Sequence, residues 1–138
     1  METLEVAPEE WEQFCSDIQA FCQGAVASIE WVQPDGATTS ITRDVPLRAI
    51  LWGDKTDRCS NKLVIDSGLP GEEPIRHVVI EPIHIRLKGD AADRYNCLEV
   101  IAENGKTTMA FHPGLNSAQL RHCYWQTPTR QGSGARER

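Results

Sequence analysis

The sequence predicts an α+β domain: an N-terminal amphipathic helix packed on a curved, mostly antiparallel sheet of about six to seven strands. Three observations carry this. The segment PEEWEQFCSDIQAFC (8–22) has apolar residues at helical spacing. From 25 to 111 the pattern changes to a period of two, in short runs separated by Gly, Pro and Asn. Asn104-Gly105 joins two of those runs, the strongest short-range hairpin signal a sequence carries. One helix followed by strands on short turns belongs with antiparallel sheets that carry a helix on one face.

The helix comes first. Trp11, Phe14, Cys15, Ile18, Phe21 and Cys22 follow the i, i+3, i+4, i+7 pattern of a single buried stripe. Pro8 suits a first turn, where its missing N–H costs nothing, and Glu9 and Glu10 favour the positive end of the helix dipole. Gly24 is a natural stop.

The strands follow in order. AVASIEWVQ (25–33) and ATTSITR (37–43) flank Pro34-Asp35-Gly36 and read as a hairpin. LRAILW (47–52) is a further strand after Pro46, GDKTDRCSN (53–61) a polar loop, KLVID (62–66) a short strand and SGLPGEEP (67–74) a connection. IRHVVI (75–80) and IHIRLK (83–88) are rich in β-branched residues, and Pro82 between them would break a helix at a cost of about 3 kcal/mol. They are therefore strands with a bend at Glu81-Pro82. GDAADR (89–94) is a turn, and YNCLEVIA (95–102) and KTTMAF (106–111) form the Asn-Gly hairpin. This gives one domain over 1–114. A short helix is expected over 115–125, started by Asn116 or Ser117, and a disordered polar tail over 126–138.

Composition narrows the function. With 138 residues, 40% of them hydrophobic and 25% charged, the chain can build one ordinary core. No apolar run approaches the roughly 18–20 residues that cross a bilayer, and the acidic N-terminus lacks the basic and apolar regions of a secretory signal. The expectation is a cytoplasmic protein with no membrane partner. Net charge is −6, and the eight acidic residues before Arg43 are accompanied by no Lys or Arg, which leaves the remainder at +2. An acidic balance argues against nucleic acid as a partner, since phosphate binding needs a basic surface. Arg121, Arg130, Arg136 and Arg138 make the tail basic, which reads as a solvated end.

The chemistry turns on His77, Glu81 and His84. On a helix these would share a face and could hold a metal. On strands, odd and even positions point to opposite faces, so His77 and His84 diverge. His84, Arg86 and Lys88 then form a polar, cationic stripe opposite Ile83, Ile85 and Leu87, and His77 is a candidate for a buried, hydrogen-bonded histidine. A zinc site wants three or four converging ligands; the adjacent His122-Cys123 pair does not readily supply them. No metal site and no cofactor is expected. The five cysteines (Cys15, Cys22, Cys59, Cys97, Cys123) are odd in number and lack CxxC spacing. Cys15 and Cys22 on one helix would sit about 10 Å apart, too far for a disulfide. Cys97 lies on a strand facing the same way as Tyr95 and Glu99 and reads as a packed thiol. Glu99 and Glu103 have no carboxylate partner for acid–base work. There is no GxGxxG, P-loop or GxSxG pattern, so no catalytic residue is assigned. Trp11 and Trp31 read as core; Trp52, at a strand end, reads equally as core or as part of a ligand surface.

A set of short motifs runs in order along 8–113: Trp11-x-x-Phe14, Ser28-Ile29-Glu30, Arg43-Asp44-Val45-Pro46-Leu47-Arg48-Ala49-Ile50, His77 five residues before Pro82, Leu98-Glu99-Val100, and Asn104-Gly105-Lys106-Thr107-Thr108-Met109-Ala110-Phe111. Together they resemble a family of small bacterial proteins known as a domain of unknown function. Family members usually carry Asp-Gly where this chain has Asn104-Gly105, and the cysteines and the tail after Pro113 depart from the pattern. The resemblance implies a compact bacterial domain and no catalytic residue.

The resulting expectation is a non-enzymatic binding or accessory domain acting through protein contact, with a homodimer by sheet-edge pairing or another protein as its partner. Arg43, Asp44, His84 and Arg86 are the candidate partner-facing residues; for Arg43-Asp44 and Pro46 a structural role in a strand bend competes. The alternative is a small-ligand binder with a helix–sheet cleft lined by Trp52 and His77. A metal- or thiol-dependent enzyme comes third.

Overall fold

The structure is a computed structural model and describes residues 2–53, 61–89, 94–116 and 119. The elements in chain order are β1 (Glu2–Glu5), a 3-10 turn (Pro8–Glu10), α1 (Trp11–Cys22), β2 (Val26–Val32), β3 (Thr38–Trp52), β4 (Lys62–Ser67), β5 (Ile75–Ile80), β6 (Pro82–Gly89), β7 (Arg94–Ala102) and β8 (Gly105–Asn116). All eight strands join one antiparallel sheet in the order β1-β6-β7-β8-β2-β3-β4-β5. The α+β architecture agrees with the sequence; six to seven strands was too few. β1 adds a strand with no apolar alternation to announce it, and the runs 37–43 and 47–52 merge into the single 15-residue β3. The loop at 53–61, the turn at 89–94, the short helix and the polar tail lie wholly or partly outside the described residues. Leu115 and Asn116 are the end of β8. Asn116 and Gln119 do exchange hydrogen bonds in the reciprocal manner of a capping box: the Gln119 N–H donates to Asn116 Oδ1 at 3.2 Å, and the Asn116 N–H to Gln119 Oε1 at 3.0 Å.

α1 buries Trp11, Phe14, Cys15, Ile18 and Cys22, the stripe expected, and leaves Phe21 exposed. These residues join one core with Ala27 and Ile29 of β2, Leu47 and Ile50 of β3, Leu63 and Ile65 of β4, Ile85 and Leu87 of β6, Leu98 and Val100 of β7, and Met109 and Phe111 of β8. Burying so many Leu and Ile side chains, each worth about 1.5–3 kcal/mol, is the main force holding the helix to the sheet. Two polar ties fix its position. The Trp11 indole N–H donates to Val6 O at 3.0 Å, and the Ile50 N–H donates to Gln19 Oε1 at 3.0 Å.

The curvature comes from β3. Its first half pairs with β2 and its second half with β4. Between Ala27↔Val45 and Ile29↔Thr42, β3 uses three steps where β2 uses two, so Arg43-Asp44 is a bulge opposite Ser28. Asp44 takes φ 54°, a left-handed conformation that Asp tolerates better than most side chains. Ser28 Oγ stabilises it by accepting from the Asp44 N–H at 2.9 Å and donating to Asp44 Oδ1 at 3.2 Å. The bend swings β4 and β5 over the inner face of the sheet. A second corner follows: Glu81 alone links β5 to β6, at φ 55°, with its N–H on Asn61 O. Consecutive strands β5 and β6 thus lie near opposite ends of the strand order, and the sheet curls to bring them together.

Candidate functional site

Where β5 passes over β8, the inner face is not filled. A half-open pocket of about 280 Å³ lies there. β5 supplies His77, Val78 and Val79; β2 supplies Trp31; β3 supplies Ile41; the β7–β8 turn and β8 supply Asn104, Gly105 and Thr107. The geometry follows from register. Trp31 is opposite Thr107, and His77 is opposite Ile65, so all four face inward.

The polar floor is one hydrogen bond. His77 Nε2 lies 2.8 Å from Thr107 Oγ1. Thr107 is buried, and burial of the imidazole pushes the His77 pKa below its ordinary value. His77 is therefore neutral at pH 7, with the tautomer deciding which of the two groups donates. The rim depends on Gly105. At φ 142° a Cβ there would lie 2.5 Å from Val32 O and 2.6 Å from Trp31 Nε1, so the glycine lets the indole lie against the turn.

Trp52 does not join this pocket. It packs edge-on against Trp11, centroids 5.5 Å apart and planes at 71°, and lines a separate shallow depression with Glu12, Ser16, Gln19, Ile50 and Leu51. The helix–sheet cleft pairing Trp52 with His77 is thus replaced by two separate concavities. Trp31, expected as core, is only half-buried and forms the pocket wall.

Of the residues expected to face a partner, Asp44, His84 and Arg86 have side-chain partners within the chain. Asp44 is tied to Ser28 as above, and Arg43 is exposed beside it. His84 and Arg86 lie on the outer face, where Glu5 of β1 receives His84 Nδ1 at 2.6 Å and Arg86 Nε at 2.8 Å. Burial alone would raise the Glu5 pKa; hydrogen bonds from Arg86 and His84 outweigh it, and the pKa falls. Glu99, on β7 beside Arg86, is 3% exposed and faces Lys88 at 3.1 Å, Lys106 at 3.4 Å and Arg86 at 3.6 Å. Its burial would likewise raise the pKa, but the hydrogen bond and charge of Lys88, with Lys106, bring it down. The cationic stripe of the sequence is therefore paired with two carboxylates, Glu5 and Glu99, and Lys106 joins it from β8.

His77, Glu81 and His84 do not converge: His77 points inward to Thr107, His84 outward to Glu5, and Glu81 sits exposed at the corner between them. Among the described residues no three His, Cys, Asp or Glu side chains are grouped to hold a metal ion. Cys15 and Cys22 are buried in the helix–sheet core, which pushes their thiols up to about 12 and about 11. Cys97 is half-buried, and burial, then the charge of Glu99, raises its pKa as well. It does not share a face with Tyr95, as expected from alternation. The register slips between the two, which turns Tyr95 into the core and leaves Cys97 outward with Glu99.

Fold and site define an α+β domain whose curled antiparallel sheet encloses a mostly apolar pocket with a neutral histidine at its floor. No protein-family model, no curated protein and no solved structure matches the chain. No helix among the described residues is long and apolar enough to cross a membrane.

Proposed function

We propose that the protein is a non-catalytic binding domain that takes a small, planar, largely apolar molecule into the pocket between Trp31 and His77. The supporting observation is the pocket itself: apolar and aromatic walls with a few convergent polar groups, the pattern of small-molecule sites. A cavity of about 150 Å³ accommodates benzene, so 280 Å³ admits a fused bicyclic ring. The indole of Trp31 offers a stacking face, and the neutral imidazole with the Thr107 hydroxyl offers one donor and one acceptor for a ring heteroatom or carbonyl. A binding role fits better than a chemical one because His77 pairs with a hydroxyl and has no carboxylate orienting it among the described contacts. Four residues of the motifs that resemble the bacterial family, His77, Asn104, Gly105 and Thr107, line the pocket, so membership in that cytoplasmic family belongs to the same reading.

Ligand-observed and protein-observed NMR with bicyclic heteroaromatic fragments such as indole and quinolone tests it. Dissociation constants between about 1 mM and 1 μM are expected for ligands of this size, with shifts at the Trp31 indole and His77 ring, and with binding abolished by Ile41→Trp. Fragments that leave both rings unshifted at millimolar concentration would remove the proposal.

A further inference from the structure

The pocket is bounded on one side by β5, and β5 is a sheet edge. Among the described residues it pairs only with β4, so its other side presents unpaired backbone N–H and C=O groups. Proteins usually blunt such edges with charge, proline or brevity. β1, at the opposite end of the sheet, is four residues long and carries Glu5 on its network. β5 is six residues long, has no internal proline, and exposes Ile75, Val78 and Ile80, each between 40% and 49% accessible. Its single charge, Arg76, is already held by Asp66 in a bidentate pair at 2.8 and 2.9 Å. An apolar strand edge with its charge neutralised from within is built to accept another strand.

We propose that β5 pairs antiparallel with β5 of a second copy of this chain, in a register centred on Val78, so that each copy closes the other's pocket. A second copy is favoured over a foreign strand because β5 is self-complementary. In a two-fold pair whose axis stands perpendicular to the sheet, same-face residues meet when their numbers sum to an even value. Centring on Val78 sets Val78 against Val78 of the second copy and Ile80 against Arg76, whose carbon stem is apolar and whose charge is spoken for. On the inner face it sets Val79 against His77 of the second copy, beside the pocket mouth. Centring on His77 would instead set Ile80 against Pro74, which has no N–H for the ladder. The dimer stands on the strand edge and not on the pocket holding a ligand, so the two proposals fail separately.

The test is sedimentation velocity of the full chain from low micromolar to near-millimolar concentration, without ligand. The weight-average mass is expected to climb toward twice the monomer value. Val78→Lys puts two ammonium groups face to face at the axis and should weaken association at least tenfold, with the melting temperature of the dilute protein unchanged. Val78→Cys tests the register without depending on that variant's folding. Under mild oxidation it should give a covalent dimer well above the wild-type background, whereas Ile75→Cys, whose opposite residue is 81, should not. Hydrogen exchange should show the β5 amides slowing as concentration rises. A concentration-independent monomer overturns the proposal, including one that captures a foreign extended peptide at β5. So does a dimer that Val78→Lys leaves intact and Val78→Cys does not cross-link, because its interface lies elsewhere.

Discussion

Glu99→Gln should destabilise the protein by about 2 kcal/mol at pH 7 and low salt. The substitution keeps the shape of the side chain and removes only its charge. Three cations then face one another across a buried amide: Lys88, Lys106 and Arg86, whose nitrogens lie 3.1, 3.4 and 3.6 Å from the carboxylate. Even with full water screening, opposite unit charges at those separations attract by about 1.2 kcal/mol each. Not all of this is lost. The cations remain 30–42% exposed and keep part of their hydration, and burying Glu99 has a cost of its own. The net effect lies between about 1 kcal/mol for an exposed pair and 3–5 kcal/mol for a broken buried one. Urea titrations at pH 7 read it directly, and the melting temperature should fall by roughly 6–10 °C. The sign with pH follows from the depressed native pKa. A carboxylate whose folded pKa lies below its ordinary value near 4.5 contributes fully above that value, and the contribution is lost as pH falls through the lowered one. The gap between wild type and variant should therefore hold from pH 7 to 5, shrink in acid, and narrow in 1 M salt. A gap under about 0.5 kcal/mol at pH 7, or one that stays constant down to acid unfolding, would refute the idea that Glu99 is a charge hub.

Three further outcomes are expected. Gly105→Ala combines a left-handed backbone penalty with a contact at 2.5 Å to Val32 O, and should cost about 2–4 kcal/mol and shift the Trp31 fluorescence; a melting temperature within about 2 °C of wild type would contradict the tight turn. Thr42→Val should be neutral or stabilise by up to about 1 kcal/mol, because the buried Thr42 hydroxyl has no hydrogen-bond partner among the described residues and the swap keeps its shape; denaturant melts that show clear destabilisation would mean the hydroxyl is satisfied after all. Cys15 and Cys22 should resist iodoacetamide at pH 7.5 in the native state and react fully in urea, read by peptide mass mapping; rapid native labelling of Cys15 would be incompatible with a thiol raised to about 12.

Local pattern was enough for the elements that depend on local pattern. The helix stripe from Trp11 to Cys22, the alternation in β2 and in β6 from His84 onward, and the Asn104-Gly105 turn are decided by neighbours within a few residues, and the structure has them where the sequence puts them; alternation breaks only where the register slips, at Ile83 of β6, which is exposed, and between Tyr95 and Cys97 of β7. The misses are non-local. β1 is a strand because Thr3, Leu4 and Glu5 meet Lys88, Leu87 and Arg86, more than 80 positions on, and nothing within Glu2–Glu5 announces it. β3 reads as two strands because Arg43-Asp44 and Pro46 interrupt the alternation; the chain absorbs the interruption as a bulge that Ser28, on another strand, stabilises.

The same distinction governs the site. That His77 is an inward, hydrogen-bonded histidine follows from its apolar neighbours in the strand. That its partner is Thr107 does not, because the contact joins β5 to β8, which are separated by three strands in the sheet order and meet only because β3 bends. Curvature also undoes the pairing of Trp52 with His77. On a flat sheet both would lie under the helix; the bend sends Trp52 to Trp11 and carries His77 across to Trp31. The stripe His84-Arg86-Lys88 fails for a related reason. Read along one strand it is a row of positive charge, but its sign is set by Glu5 and Glu99 on the strands to either side. A strand's face can be read from its own residues, whereas the electrostatic character of that face belongs to the ladder, and only the register supplies it.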